Sequence, residues 1–418
     1  MGRYTKNELI IIILLALIIL FPRIKTGSFL PDVRLDFFYI TMIFFVYFMQ
    51  NCIKEGKLVY KRSPLYIWFF VYMITVYLSI TFAVIFKGQT LSLRDFMEFI
   101  KVLQYFFVFF IAFNLSNVNI NKVIIASVLM LWMSAIFGFF QRYNILGVNI
   151  WLTPFYTSEH HLGDVTARII GTTANPNEFG LLMIIAIMLT FSLVLLLPGL
   201  KVKIFYFISF LLFSTVLLFT LSRTSMICVV LGISYIIIFK YPRTVGMKKT
   251  IINIIPVIIV IIISAFILFA FVPDTLLHRM SYIGDRYYDM SWAVRLHIWE
   301  ENFNIFLGSP VFGWGPGKAS MSQVLDSEWL LLLRRYGIVG VTVFVAWFSI
   351  IYIYLNRIPM RQNTYFSAIV VALSACLIVF PVYMINLVAF HNLQIMPLYF
   401  LYLGLAFSAN LKYITLKG

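Results

Sequence analysis

The chain has 418 residues, 62% of them hydrophobic and 11% charged, whereas a soluble domain is usually about a quarter charged. No water-soluble fold hides that much apolar surface, so lipid must be the main solvent. The formal charge of +16 would suit nucleic acid, but its uneven placement along the chain argues for a membrane surface instead and excludes a nucleic-acid partner.

Apolar runs of about 17–25 residues cross a bilayer as helices. The sequence predicts twelve, near 7–22, 37–53, 64–86, 95–115, 120–141, 177–198, 203–221, 224–240, 250–273, 336–356, 364–387 and 390–410. The first run has a basic start but no small-residue cleavage site, and reads as a retained helix rather than a removed signal. The run Ile204–Phe239 is 36 residues long. At about 1.5 Å per residue it would reach about 54 Å, nearly twice the hydrocarbon thickness. It must fold back on itself, and its polar break is Ser222-Arg223-Thr224-Ser225. The whole of 1–418 reads as one all-α polytopic membrane domain. Cys52, Cys228 and Cys376 lie in or beside apolar runs without metal-ligand spacing, and read as small core residues.

Twelve spans put both ends of the chain on one side. That side holds 17 of the 32 bases against Glu8 and Glu55, while the other holds 15 bases and 14 acids. Short loops rich in Lys and Arg stay in the cytoplasm, so both termini are expected inside. Two outward segments are long, 142–176 and 274–335, and loops of that length are usually functional or disordered. In the second, Trp292, Leu296, Trp299, Phe303 and Phe306 recur at steps of four and three and predict an amphipathic helix near 291–306, lying on the membrane surface or capping the bundle.

The polar chemistry gathers on the outward side. Arg168 precedes the turn Gly171-Thr172-Thr173-Ala174-Asn175-Pro176-Asn177-Glu178. Arg223 sits at the hairpin tip, Arg295 on the surface helix, and Arg334-Arg335 opens the tenth span. Arginine at a bilayer edge is costly and asks for a reason. Snorkelling is the plain one; an anion site is the functional one, since guanidinium forks bind phosphate oxygens in bidentate fashion at any pH. The segment Gly313-Trp314-Gly315-Pro316-Gly317 supplies tight turns and close backbone approach. Asp326 and Glu328 are the acids nearest the mouth of the tenth span, either as a proton acceptor for a sugar hydroxyl or as helix caps. His391-Asn392 offers a second candidate base, or a structural helix end. The spacing Asp326-x-Glu328 also suits a hard cation, but no Asp-x-Asp occurs, and Asp32 and Asp36 are four apart.

The order Arg168, Gly171, Asn175-Pro176-Asn177, Ser222-Arg223, Arg295, Trp299, Pro310, Gly313-Trp314-Gly315 and an acidic helix start resembles the O-antigen polymerase and ligase superfamily, over about residues 165–395. The resemblance implies a GT-C-type helical bundle in the bacterial cytoplasmic membrane, working at its periplasmic or external face with no metal and no nucleotide sugar. Donor and acceptor would be glycans on undecaprenyl pyrophosphate, with a flippase and a chain-length regulator as partners in the same membrane. By position, Arg168, Asn175, Asn177, Arg223, Arg295, Trp299, Arg334 and Arg335 would bind pyrophosphate or glycan, and Glu328, Asp326 or His391 would orient or deprotonate the acceptor. The ligase branch tends to place a histidine at the start of the helix after the Gly-rich segment. This chain has Asp326-Ser327-Glu328 there, which favours a polymerase. A transporter of lipid-linked oligosaccharide would also suit twelve spans, but neither repeat symmetry nor midplane charge accompanies them.

Overall fold

The long apolar runs become helices because lipid offers the backbone no other hydrogen-bond partner. A computed structural model describes residues 4–24, 33–55, 60–116, 118–157, 162–163, 165–246, 290–318, 325–360 and 364–415. Its long helices are α1 (Lys6–Leu20), α2 (Leu35–Glu55), α3 (Leu65–Lys87), α4 (Met97–Asn114), α5 (Ile120–Tyr143), α6 (Pro176–Leu196), α7 (Leu200–Phe219), α8 (Arg223–Tyr235), α9 (Met290–Leu307), α10 (Glu328–Arg357), α11 (Tyr365–Tyr383) and α12 (Ile395–Thr415). The α8 helix continues through the five-residue π-helical turn Ile236–Lys240 to Val245. Arg23–Ile24 and Val33–Arg34 form a two-residue antiparallel ladder that ties the end of α1 to the start of α2.

Among the described residues, eight helices are long and apolar enough to cross a bilayer. The helices expected near 7–22, 37–53 and 390–410 are present as α1, α2 and α12. The span expected near 250–273 lies outside the described residues, as do 158–161 and 274–289 of the two long loops. The expected fold-back of Ile204–Phe239 occurs at Thr220-Leu221-Ser222, where Leu221 takes a left-handed φ of 53°.

The α6 helix is apolar on every side, and its most apolar stretch is wholly covered by protein. A helix of that kind belongs at the centre of a bundle. It packs on α7, α8 and α11, while α12 lies along α4, α1 along α5, and α3 along α10. The outer helices leave large apolar side chains exposed, such as Ile67, Ile85, Phe86 and Val230, which is where lipid would lie.

One end of the bundle is basic. There Lys61 donates to the Phe113 carbonyl at 2.7 Å and to Ser408 Oγ at 2.9 Å, Lys122 pairs with Glu8 at 3.2 Å, and Lys240 donates to Asn356 Oδ1 at 2.6 Å. These contacts bring the start of α1 and the end of α12 to that same end. The opposite end gathers the starts of α4, α6, α8 and α10 and the exits of α1, α3, α5, α7 and α11. The expected outward side is this second end.

Candidate active site

Three parts of the chain that are distant in sequence meet at the second end. Ser92 and Asp95 form a reciprocal cap on the turn Leu93–Phe96, and α4 follows with Glu98 in its first turn, where an acid suits the helix dipole. Glu328 is the first residue of α10. His391 lies in the non-helical stretch between α11 and α12, where Asn392 Oδ1 accepts from the amides of Gln394 and Ile395 at 2.9 and 3.0 Å and sets the start of α12.

The His391 imidazole is held between two carboxylates. Its Nδ1 contacts Glu328 Oε1, and its Nε2 lies 3.0 Å from Glu98 Oε2. Glu328 is fully buried, and its Oε2 accepts from the Phe390 amide at 2.8 Å and the His391 amide at 3.4 Å. Glu98 Oε1 gathers three cations: Lys318 at 2.6 Å, Lys101 at 3.2 Å and Arg335 at 3.3 Å. Glu98 is 2% exposed. Two carboxylates and an imidazole make a donor set that a divalent ion accepts, but three fixed positive charges around Glu98 repel one. The carboxylates of Asp326 and Glu328 also diverge, one to Arg295 and one to His391. Asp36 is engaged by Arg34 at 2.7 Å and Gln104 at 2.6 Å, and Asp32 lies outside the described residues.

The Gly-rich segment positions the arginine pair. The helix α10 unwinds at Gly337, with φ 62° and ψ −165°. The freed backbone pairs with the segment 310–315: Trp314 and Gly315 amides donate to the Arg334 and Arg335 carbonyls, both at 2.9 Å, and the Ile338 amide donates to the Pro310 carbonyl at 2.9 Å. Ser79 Oγ also donates to the Arg335 carbonyl, at 2.6 Å. A Cβ on Gly313 would lie 2.4 Å from the Arg335 carbonyl, and one on Gly337 2.2 Å from the Val311 carbonyl. The expected close approach is seen at Gly313, against the backbone of α10, while Gly315 lies against Ala83 of α3. Arg334, 2% exposed, donates to Asn302 Oδ1 of α9 at 2.6 Å.

A second polar corner lies at the ends of α6, α7, α8 and α11. Arg168 donates from Nε to the Thr220 carbonyl at 3.2 Å and from its Nη2 to Asn177 Oδ1 at 3.2 Å. Tyr383 donates to the Asn177 carbonyl at 2.6 Å. Asn175 caps α6 by accepting from the Glu178 amide at 2.9 Å, and Glu178 pairs with Arg23 at 2.8 Å. Arg223 opens α8 three residues past Thr220 and is half-buried. Next to it, Thr224 Oγ1 is 3.5 Å from Asn386 Nδ2. The stretch 384–386 joins this corner to the first cluster, because the Glu328 amide donates to the Met384 carbonyl at 3.0 Å.

Of the residues singled out in sequence, Glu328 and His391 meet directly and Arg335 joins them through Glu98, Arg168, Asn175, Asn177 and Arg223 form the neighbouring corner, and Arg334 turns instead to Asn302 of α9. Asp326 is 42% exposed and pairs with Arg295 at 3.3 Å at the rim. Trp299 lies on α9 one turn after Arg295. That helix follows the expected range 291–306, but Leu296 and Phe303 of the expected stripe are exposed while Phe306 is buried; the Trp292 side chain lies outside the described residues. Glu98, Lys101 and Lys318 escaped the reading of motifs. The signal for the first two was two charges, three residues apart, at the head of an otherwise apolar span, which lipid does not tolerate without a reason.

Residues 208–345 match the O-antigen ligase family model. No curated protein matches the chain. The matched segment supplies Arg223, Arg295, Asp326, Glu328, Arg334 and Arg335, whereas Glu98, Lys101, Arg168 and His391 come from outside it.

Proposed function

We propose that this chain, a multi-pass member of the O-antigen polymerase and ligase superfamily, polymerises oligosaccharide repeat units carried on undecaprenyl pyrophosphate at the outer face of the bacterial cytoplasmic membrane. The observation that carries the reading is His391, held between Glu98 and Glu328, with three cations gathered on the other oxygen of Glu98, at the end of the bundle opposite the basic one. The basic end faces the cytoplasm by the rule that loops rich in Lys and Arg stay inside.

The acceptor hydroxyl attacks the anomeric carbon of the donor glycan. The new carbon–oxygen bond forms as the bond to the lipid diphosphate breaks and takes its electron pair with the leaving group. The hydroxyl proton passes to His391. Glu328 is the fixed partner of the imidazole, because two backbone amides hold its other oxygen. Glu98 is the exchangeable partner, since Lys101, Lys318 and Arg335 draw on its second oxygen, and the hydroxyl takes its place at Nε2. Charge grows on the departing diphosphate, and preplaced cations stabilise it without reorganisation. Arg168, held by Asn177 in the first turn of α6, and Arg223 supply guanidinium groups at the depth of a lipid head group.

Transfer of finished polymer to a different acceptor, the ligase reaction, is the second reading, and the description of the matched family favours it. A gel of surface polysaccharide from cells lacking the protein separates the two. A single repeat unit left on the lipid anchor is the expected result. Full-length polymer stranded on the carrier would instead assign the ligase reaction.

A further inference from the structure

We infer that the first part of the outward loop after α5, residues 143–155, does not stand in water but lies in the outer leaflet of the bilayer, at the boundary of head groups and acyl chains. The inference does not depend on which glycan transfer the protein performs.

The stretch 143–157 contains no Asp, Glu, Lys or Arg. It winds through three short helical turns over 145–155 and leaves Tyr143, Ile145, Leu146, Ile150, Trp151 and Phe155 exposed. Ile150 is 79% exposed and Leu146 78%, the two highest values for a large apolar side chain among the described residues. Leu146 takes a left-handed φ of 57°, which bulky side chains rarely adopt. Single exposed apolar residues are ordinary, but a run of six marks a contact surface.

The polar groups of the loop turn the other way. Trp151 Nε1 donates to the Leu146 carbonyl at 3.0 Å, so its exposed ring shows no unmet donor. Asn149 Nδ2 donates to the Gln141 carbonyl at 2.8 Å, and the Asn149 amide donates to Asn144 Oδ1 at 3.2 Å. Tyr156 donates to the Leu20 carbonyl at 2.7 Å and Thr157 to the Ala174 carbonyl at 2.6 Å. These bonds hold the loop against the end of α1 and the turn before α6, and they meet its polar needs without water on the outer face.

Lipid is the occupant because the patch continues a lipid-facing surface. On α5, Leu129, Met133 and Ile136 are exposed at steps of four and three, and Tyr143 follows seven residues later on the same stripe. A protein contact confined to the loop would end where the helix begins, and this surface does not. Trp and Tyr favour the boundary between lipid and water. Irregular backbone is not tolerated in lipid-exposed hydrocarbon, so the loop rests at the boundary while its apolar side chains reach the acyl chains.

Spin labels test the placement. With the three native cysteines replaced, nitroxides are attached singly at Leu146→Cys, Ile150→Cys and the water-facing reference Thr166→Cys, in the full-length protein in phosphatidylcholine/phosphatidylglycerol liposomes. Relaxation by oxygen, which concentrates among acyl chains, is compared with relaxation by nickel ethylenediamine diacetate, which stays in water. Oxygen is expected to dominate at 146 and 150, and nickel at 166. Nickel dominating at either 146 or 150 would overturn the inference. So would spin–spin broadening there that vanishes on dilution with unlabelled protein, since it would assign a second copy of the chain to this surface. Phosphatidylcholine brominated in the upper acyl chain gives a reading without labels: it should quench the fluorescence of the unaltered protein more than that of Trp151→Phe, and equal quenched fractions would count against lipid contact.

Discussion

Asp326 and Glu328 are two positions apart and meet opposite surroundings. Asp326 ends at the rim on Arg295, while Glu328 is buried against His391 and two backbone amides. Glu328→Gln keeps an acceptor for those amides but removes the charge that steadies the imidazole. It should lower polymer formation by about 10²-fold or more, the scale of lost general-base catalysis. Asp326→Asn removes only an exposed pair worth about 1 kcal/mol or less and should cost no more than about fivefold. Chain-length analysis of the two variants checks this; equal and mild losses would reduce both residues to caps. Arg223→Ala should abolish polymer with expression intact, and Arg295→Ala, whose guanidinium is held by Asp326 at the mouth, should also stop chain growth. Normal long-chain product from either would take that residue out of the reaction.

At the scale of elements, the break in α10 and the Gly-rich segment form one unit. A Cβ at Gly337 meets the Val311 carbonyl at 2.2 Å and an uncommon positive φ, and holding a side chain in such a region costs about 1–3 kcal/mol before the clash is counted. Gly337→Ala should therefore lower the thermal midpoint of the detergent-solubilised protein and displace Arg335 from Glu98. Gly163→Ala, which meets nothing within 4 Å, should leave the midpoint unchanged; equal midpoints for the two variants would mean that the break is not strained by a side chain. The same unit explains why the sequence motif Gly313-Trp314-Gly315 precedes an acidic helix start. Its glycines are demanded by backbone pairing with α10, which places two arginines, and no local pattern shows that partner.

Across the whole molecule, the two ends of the bundle differ in charge, and that difference fixes the expected orientation. With the three native cysteines replaced, Thr166→Cys should react with a membrane-impermeant maleimide in right-side-out vesicles. Lys201→Cys should react only after lysis. The opposite pattern would turn the candidate active site toward the cytoplasm and end the proposal for extracytoplasmic glycan transfer.

Length and spacing of apolar runs, together with the placement of Lys and Arg, are local properties, and lipid enforces their consequences segment by segment. The sequence alone therefore determined the approximate positions of the long helices among the described residues, the fold-back before Arg223, the basic end, and the candidacy of Arg223, Glu328 and His391. Only the tertiary structure could decide which polar groups meet. Glu98 and His391 are 293 residues apart in the chain, and Lys318 reaches Glu98 across another 220. Such contacts depend on how α4, α10 and α12 pack, which is set by side-chain fit around the buried α6. Hydropathy carries no record of that fit, so the partner that completes the histidine site, and the separation of its cations from the Arg168 corner, became visible only once the helices were assembled.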